Sequence, residues 1–493
     1  MYLGIDCGTQ GTKALLIDEN GRPLGRGYAQ HSLIERENGA REQDPQWWIE
    51  ALRDAVRQAV SQAPPTKVVA LGVSGQQHGL VVLDDAMQVI RPAKLWNDTE
   101  TAPQNDELIA KLGGSAACLE KIGIVPLTGY TASKLLWIKE REPENFDRIR
   151  HILLPHDYLN FWLTGQLVAE YGDASGSAFF DVRSRDWSNE VLDRIDGGSG
   201  LLRKALPALL KPEDVVGTLR PEVAAELGLS PDCLVSSGGG DNMMGAIGTG
   251  NVREGVVTLS LGTSSTVYSF CEHPVADATG SVASFCSSSG GWLPLVCTMN
   301  ATNVVTKTLN TLGKTVNDLD AALAETQPGA DGMSFLPFLN GERTPDLPRA
   351  RGTIVGVSSN NFTNGNLIRA AVEGVSFGIL NGLDLILDGR EPSVIFAIGG
   401  GARSREWRQL LADATGATIQ MPAEEEAGCL GAAIQAMYVS YRAKGIPTSI
   451  AEIADRCVAV STDGKQVPRP DRRQAYRRAM ESYRTALQEL YLH

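Results

Sequence analysis

The sequence predicts an α/β protein built as a duplicated pair of domains, and three observations carry that prediction. The chain has 493 residues, too many for one ordinary hydrophobic core, so two domains are expected, 1–245 and 246–493. Its first 73 residues read in the order three strands, helix, strand. A strand, a glycine and hydroxyl turn and a second strand then recur about half a chain later, with Thr9 and Thr263 at equivalent places.

The elements follow in order. "YLGID" and "KALLID" are strand-like, and a third strand returns after "DENGR" (18–22), whose Asn20-Gly21 pair favours a hairpin turn. In "DPQWWIEALRDAVRQAVSQA", Asp44 stands at the N-cap position and Pro45 at the first helical position. Trp48, Leu52, Ala55, Val56, Ala59 and Val60 then form the apolar stripe of an amphipathic helix. A Pro64-Pro65 break leads into "KVVALGV" (67–73), an apolar run suited to a buried parallel strand. In the second half, "GVVTLSLGTSSTVYSF" (255–270) repeats the hairpin, and "VIFAIGGGARSREWRQLLADATG" (394–416) reads as strand, glycine loop and helix. A short strand and "AGCLGAAIQAMY" (427–438) follow, the latter a small-residue helix able to pack closely. "DRRQAYRRAMESYRTALQELY" (471–491) is a charged exterior helix whose Arg cluster reads as a solvated face.

A formal net charge of −13 argues against nucleic-acid and anionic-membrane partners, which need basic surfaces. The eight cysteines form no CxxC pair and read as free thiols. The N-terminus shows no targeting signal and no uninterrupted apolar run reaches the roughly 18 residues of a spanning helix, so a cytoplasmic location is expected.

Asp6 at the lip of "CGTQGTK" allows two readings: a strand-end carboxylate in a plain turn, or a water-mediated Mg²⁺ anchor beside a loop whose amides and hydroxyls cradle phosphates. The partner turn "LGTSS" (261–265) favours the second, because two such turns facing each other would grip a phosphate chain from two sides. "LGKT" (312–315) is no P-loop, since Thr308 stands where its first glycine is needed. "GGGARS" (399–404) lacks dinucleotide spacing but allows close backbone approach to a flat ligand such as adenine. In "SSGGGDNMMGAIG" (236–248), Asp241 is either a helix cap or, after three glycines that imply close approach to a ligand, a general base with Asn242 beside it. "SGQQHG" (74–79) and "LWND" (95–98) follow strands, where α/β sheets bind ligands, although His78 could equally be structural. "FLPFLNGERTPDLPRARG" (335–352) is a surface loop, a cleft wall or a subunit contact.

Taken together these pieces resemble the FGGY family of carbohydrate kinases over nearly the whole chain. "GYTASKLLWIKE" (129–140) matches one family signature through Thr131, Lys134 and Trp137, although Arg141 stands where an amide, acid or His is usual; "GTIVGVSSNNFTNGNLIRAAVE" (352–373) matches the other. The resemblance implies a duplicated actin-like, ribonuclease H-like fold whose domains face each other across an ATP and sugar cleft. It implies ATP-dependent phosphorylation of a ketopentose, D-xylulose before others, with Mg²⁺, in a homodimer. Within the family, glycerol-specific members would carry an Arg-Glu pair at Gln77 and His78, and pentose members often carry Met at position 77, so Gln77 is a departure. The roles carried over are Asp241 as catalytic base; Gln77, His78, Trp96, Asn242 and Asp241 around the sugar; and Asp6 at the metal. Thr9, Gln10, Gly11, Thr12, Lys13, Gly262, Thr263 and Ser264 would face the phosphates, and Gly399, Gly400, Gly401 and Ala402 the adenosine. The alternatives are an FGGY kinase for another sugar or polyol, such as ribulose or another ketose, and an actin-like ATPase without a sugar substrate.

Overall fold

The computed structural model describes residues 1–63, 67–462 and 464–492. Its contacts divide the chain into two compact units. The first comprises Met1–Val252, Cys271–Leu293 and Glu426–Val458, and the second Arg253–Phe270, Pro294–Glu425 and Ala459–His493. Neither unit is thus one stretch of chain: the first takes in two segments from the second half, and in one of them the helix Ala427–Ala443 packs on its sheet.

The sheet of the first unit runs Val215–Thr218, Leu234–Ser236, Ala70–Gly75, Tyr2–Cys7, Gly11–Ile17, Pro23–Gln30. The strands at 234, 70 and 2 are parallel, whereas those at 2, 11 and 23 form an antiparallel meander. The strand expected from Lys67 begins at Ala70, and the Pro64-Pro65 break lies outside the described residues.

Alternation along Tyr2–Cys7 decides which side chain meets which layer. Leu3, Ile5 and Cys7 share a buried cluster with Leu16 and with Trp48, Leu52, Ala55, Val56 and Ala59 of the helix Pro45–Ser61; Val60, expected in that stripe, is only partly buried. Burying each Leu or Val there contributes about 1.5–3 kcal/mol. Asp44 caps this helix by accepting from the Gln46 amide. Gly4 and Asp6 face the other way, onto Ala427–Ala443. A Cβ on Gly4 would stand 1.8 Å from the Cys429 carbonyl oxygen. That helix also packs backbone to backbone on the helix Asp241–Gly248, where a Cβ on Gly431 would lie 1.8 Å from the Met244 oxygen. The small residues of "AGCLGAAIQAMY" serve this close packing.

The second unit repeats the topology. Thr418–Gln420, Val394–Ile398 and Val256–Leu261 are parallel neighbours, and Val256–Leu261, Ser265–Ser269 and residues 295–298 are antiparallel ones. Val256–Leu261 therefore holds the place that Tyr2–Cys7 holds in the first unit, and the turns at 262–264 and 8–10 are equivalent. Helix Asn364–Leu387 is long and apolar enough by composition to cross a membrane, but it is the unit's buried central helix. Its Arg369 and Glu373 form a buried pair at 3.1 Å, and Arg369 also reaches the Tyr476 hydroxyl of the terminal helix Pro470–Tyr491. In that terminal helix Arg477 and Arg478 are exposed as expected, whereas Arg473 pairs with Glu391.

Candidate active site

Asp6 is the penultimate residue of the strand Tyr2–Cys7, beside the first turn of Ala427–Ala443, where a Cβ on Gly428 would come within 3.0 Å of its carboxyl carbon. The positive end of the helix dipole thus faces this carboxylate. Its Oδ1 accepts from Ser74 Oγ at 2.6 Å. Its recessed position lifts the pKa above the usual carboxylate range, with Ser74 and then Lys13 opposing. Lys13 pairs with Glu426 at 2.6 Å.

Register sorts the residues of the first turn. Lys13 is paired with Asp6 and shares its face, whereas Thr12 is paired with Cys7 and turns to the opposite layer. Thr12 is fully buried, its hydroxyl 3.1 Å from His31 Nε2, and Gly11 is packed under Tyr28. The phosphate-facing role expected of Gly11 and Thr12 is therefore not available to the Thr12 hydroxyl, because pleating aims it into the core. Gln10 is exposed at the tip. Thr9 Oγ1 donates to Gln76 Oε1 at 3.0 Å and accepts from Trp96 Nε1 at 2.9 Å, while Gln43 bonds both the Thr9 carbonyl and Gln76 Nε2. The Trp96 ring stays 41% exposed. Its loop is anchored by Lys94, buried against Asp98, Glu100 and Glu42.

Gln77, His78, Asp241 and Asn242 come together. Asn242 Nδ2 donates to Gln77 Oε1 at 2.9 Å and lies 3.1 Å from Asp241 Oδ1. Asp241 is the first residue of its helix rather than its cap, which is Gly240, and its Oδ1 accepts from the Asn242 amide at 2.8 Å. Enclosure and then the nearby charge of Asp6 push its pKa up to about 7, against the Asn242 amide. The three glycines before it were expected to admit a ligand. Instead the space that their Cβ atoms would fill is held by the Val73 carbonyl at Gly238, Ser288 at Gly239 and Gln77 at Gly240.

His78 sits at φ 66°, an uncommon conformation for a residue with a Cβ. Its carbonyl is gripped by Lys134 Nζ at 2.5 Å and Thr131 Oγ1 at 3.2 Å, and Lys134 also donates to the Gly129 carbonyl at 2.6 Å. The "GYTASKLLWIKE" segment therefore acts as a clamp on the His78 backbone, a role invisible in the sequence. Desolvation lowers the pKa of Lys134 to about 7. The His78 ring stacks at 4.5 Å on Tyr130 and abuts Phe285 at 6.0 Å.

In the second unit Thr263 and Ser264 are exposed at the turn, and the Gly262 carbonyl is fixed by the amide and hydroxyl of Thr302. Gly399 and Gly400 are exposed after the strand Val394–Ile398. Gly399 has φ 87° and a Cβ there would strike the Leu261 carbonyl, while a Cβ on Gly400 would meet only open space. Gly401 and Ala402 are buried. No group of three or more His, Cys, Asp or Glu residues forms a metal cage among the described residues.

Two family models cover most of the chain. Residues 1–248 match the N-terminal domain of the FGGY family of carbohydrate kinases and residues 257–440 its C-terminal domain. The chain belongs to the FGGY family of carbohydrate kinases. This FGGY kinase is similar to a protein called xylulose kinase from Haemophilus influenzae, at 46% identity over 499 residues and 100% of both chains. It is similar to another of that name from Streptomyces rubiginosus, at 42% identity over 88% of this chain and 87% of the relative. The crystal structure of a "xyloylose kinase" from Brucella ovis matches with a TM-score of 0.91 at 32% identity, covering 100% of this chain and 99% of that one. The fold is the duplicated actin-like, ribonuclease H-like one, and the FGGY kinase takes ATP and a sugar as substrates.

Proposed function

We propose that the protein phosphorylates D-xylulose to D-xylulose 5-phosphate with ATP, using Asp241 as general base. The similarity to proteins called xylulose kinase at 46% and 42% identity supports the substrate. The observation that carries the mechanism is the Asp241 carboxyl: its described hydrogen bonds all fall on Oδ1, and its pKa of about 7 is poised for proton transfer at neutral pH.

In this reading Gln77, His78 and Asn242 bind the sugar, with Trp96 at its margin. Asp241 Oδ2 takes the proton of the terminal sugar hydroxyl as the new O–P bond forms and the bond from the γ-phosphorus to the bridging oxygen breaks, releasing ADP. On the first unit, Lys13 and the backbone around Thr9 and Gln10 are assigned to phosphates; on the second, the turn Gly262–Ser264 is assigned to phosphates and Gly399–Ala402 to the adenosine. Asp6 suits a hard, hydrated cation, being one carboxylate without a surrounding protein cage. It would hold Mg²⁺ through water, and the ion would supply neutralisation of phosphate charge. Residues 1–245 then carry the acceptor side, and 246–493 most of the nucleotide side.

The test is ADP release with MgATP and D-xylulose, D-ribulose, gluconate, glycerol or no sugar, compared as kcat/KM. The highest value belongs to D-xylulose in this account. Another winning sugar replaces the substrate, and equal release without sugar removes the kinase reading.

A further inference from the structure

A buried charged group lies behind the residues above, and the chemistry just described does not use it. His156, the second residue of the helix Pro155–Thr164, is fully buried, and its Nδ1 stands 2.6 Å from Asp173 Oδ2. Its Nε2 lies 3.1 Å from Asp157 Oδ1 but without the alignment of a hydrogen bond, so the Asp173 contact is the directed one. Burial alone would lower the imidazole pKa; the carboxylates of Asp157 and Asp173 outweigh it and hold the group up at about 9. Glu170, also buried, accepts from the amides of Gly172 and Asp173 and from Ser288 Oγ, and so fixes the turn that presents Asp173.

This pair abuts the segments that lead to Gln77, His78 and Asp241. A Cβ on Gly75 would stand 2.8 Å from His156 Cβ, and Gly75 immediately precedes Gln76, Gln77 and His78. A Cβ on Gly238 would stand 3.2 Å from His156 Cδ2, and Gly238 leads through two glycines to Asp241. On the Asp173 side the same turn runs on to Gly176, where a Cβ would come within 2.2 Å of the His78 ring. An ion pair kept only for stability is a poor use of a dry interior, because a buried pair often gains nothing over apolar packing of the same volume. Its contacts converge instead on the two residues assigned to sugar and base.

We propose that the His156–Asp173 pair is a positioning device for the phosphoryl acceptor, setting the seats of His78 and Asp241 together so that the sugar hydroxyl meets its base. The inference rests on the reading of Asp241 as base and His78 as sugar contact. His156 and Asp173 are positioning residues and touch no substrate.

The test compares His156→Ala, Asp173→Ala and His156→Asn by steady-state kinetics with D-xylulose and with MgATP, alongside thermal melting and ADP binding. The side-chain amide that His156→Asn introduces can occupy the place of Nδ1 and keep the bond to Asp173. The two alanine variants are expected to lose on the order of 10- to 100-fold in kcat/KM for D-xylulose, the cost of a small displacement at the reacting centre. KM for MgATP stays within about 2-fold, and His156→Asn recovers to within about 3-fold of the parent. Alanine variants that fold and keep the parent's kcat/KM overturn the proposal. So does a KM for MgATP that rises in step with that for the sugar, or an asparagine variant no better than alanine. Should the alanine variants not fold, Ser288→Ala, which removes only the hydroxyl bonded to Glu170, is read the same way. Asp241→Asn separates the two readings: retained kcat there overturns the base assignment, whereas an inactive Asp241→Asn beside unchanged alanine variants overturns the positioning role alone.

Discussion

The side-chain amide of Asn242 joins Asp241 to Gln77, with Nδ2 3.1 Å from Asp241 Oδ1 and 2.9 Å from Gln77 Oε1. One amide therefore orients both the proposed base and a proposed sugar contact. It also leaves Gln77 Nε2 buried without an acceptor among the described residues. An unsatisfied buried donor costs about 1–3 kcal/mol, and a sugar oxygen placed there recovers it.

Gln77→Leu keeps the side chain's bulk and removes both polar ends. The expected outcome is a rise of about 10-fold in KM for D-xylulose, equivalent to about 1.4 kcal/mol, with KM for MgATP unmoved and thermal stability equal or higher. Steady-state kinetics with each substrate varied in turn check this. An unchanged sugar KM removes Gln77 from the pocket.

The pH profile of kcat/KM for the sugar reports the free enzyme's base. The Asp241 carboxyl titrates at about 7, raised by enclosure and by Asp6. Below that value it holds its proton and cannot accept the substrate's, so log kcat/KM falls by about one unit per pH unit on the acid side and levels off above. Rates from pH 5 to 9 give the profile, and a flat one across that range contradicts the assignment.

Lys134 grips the carbonyls of His78 and Gly129 from a fully buried position. Lys134→Met is expected to cost about 1–3 kcal/mol of stability by taking this donor from the Gly129 carbonyl and leaving the His78 carbonyl to the Thr131 hydroxyl. Its pH signature is separate. The folded pKa is lowered to about 7, below the ordinary 10.5, so between these values the unfolded chain binds the extra proton and stability rises with pH. The parent therefore gains on Lys134→Met by at most about 1.4 kcal/mol per pH unit from 7 upward. Denaturant midpoints at pH 6.5 and 9 measure the difference; a gap that narrows with pH is the contrary result.

Features written in local patterns were legible in the sequence, and features made by distant chain segments were not. The hairpins at 9 and 263, the Asp44 cap and the small-residue helix from Ala427 depend on neighbouring residues, and the structure holds them where expected. Thr12 was misplaced by one step of the pleat: the motif offers a hydroxyl, but pairing with Cys7 decides which face it takes. The glycines at 238–240 signalled close approach without saying to what, and the answer lies with Val73, Ser288 and Gln77. Lys134 was visible as a signature residue, but its partner carbonyl is 56 residues away. Nothing near His156 in the chain announces Asp173.

Gly431→Ala tests the close packing that carries Asp241. The added methyl would fall 1.8 Å from the Met244 carbonyl oxygen, far inside contact distance, while the helix itself gains about 0.5–1 kcal/mol from losing a glycine. Overpacking of this kind costs about 1–3 kcal/mol or more, so a net loss of stability is expected, with kcat reduced as the helix Asp241–Gly248 shifts. Thermal melting and kcat together check it; a variant more stable than the parent shows that the helices can part without strain.

The central claim is that Asp241 accepts the sugar's proton, and the most direct measurement is kcat of Asp241→Asn with saturating D-xylulose and MgATP, on protein whose ADP binding matches the parent. The replacement keeps the size of the side chain and removes its basicity. The account expects a loss of about 100- to 10,000-fold, the range for a general base. A variant that keeps kcat within about 3-fold of the parent contradicts it and places the proton's acceptor elsewhere.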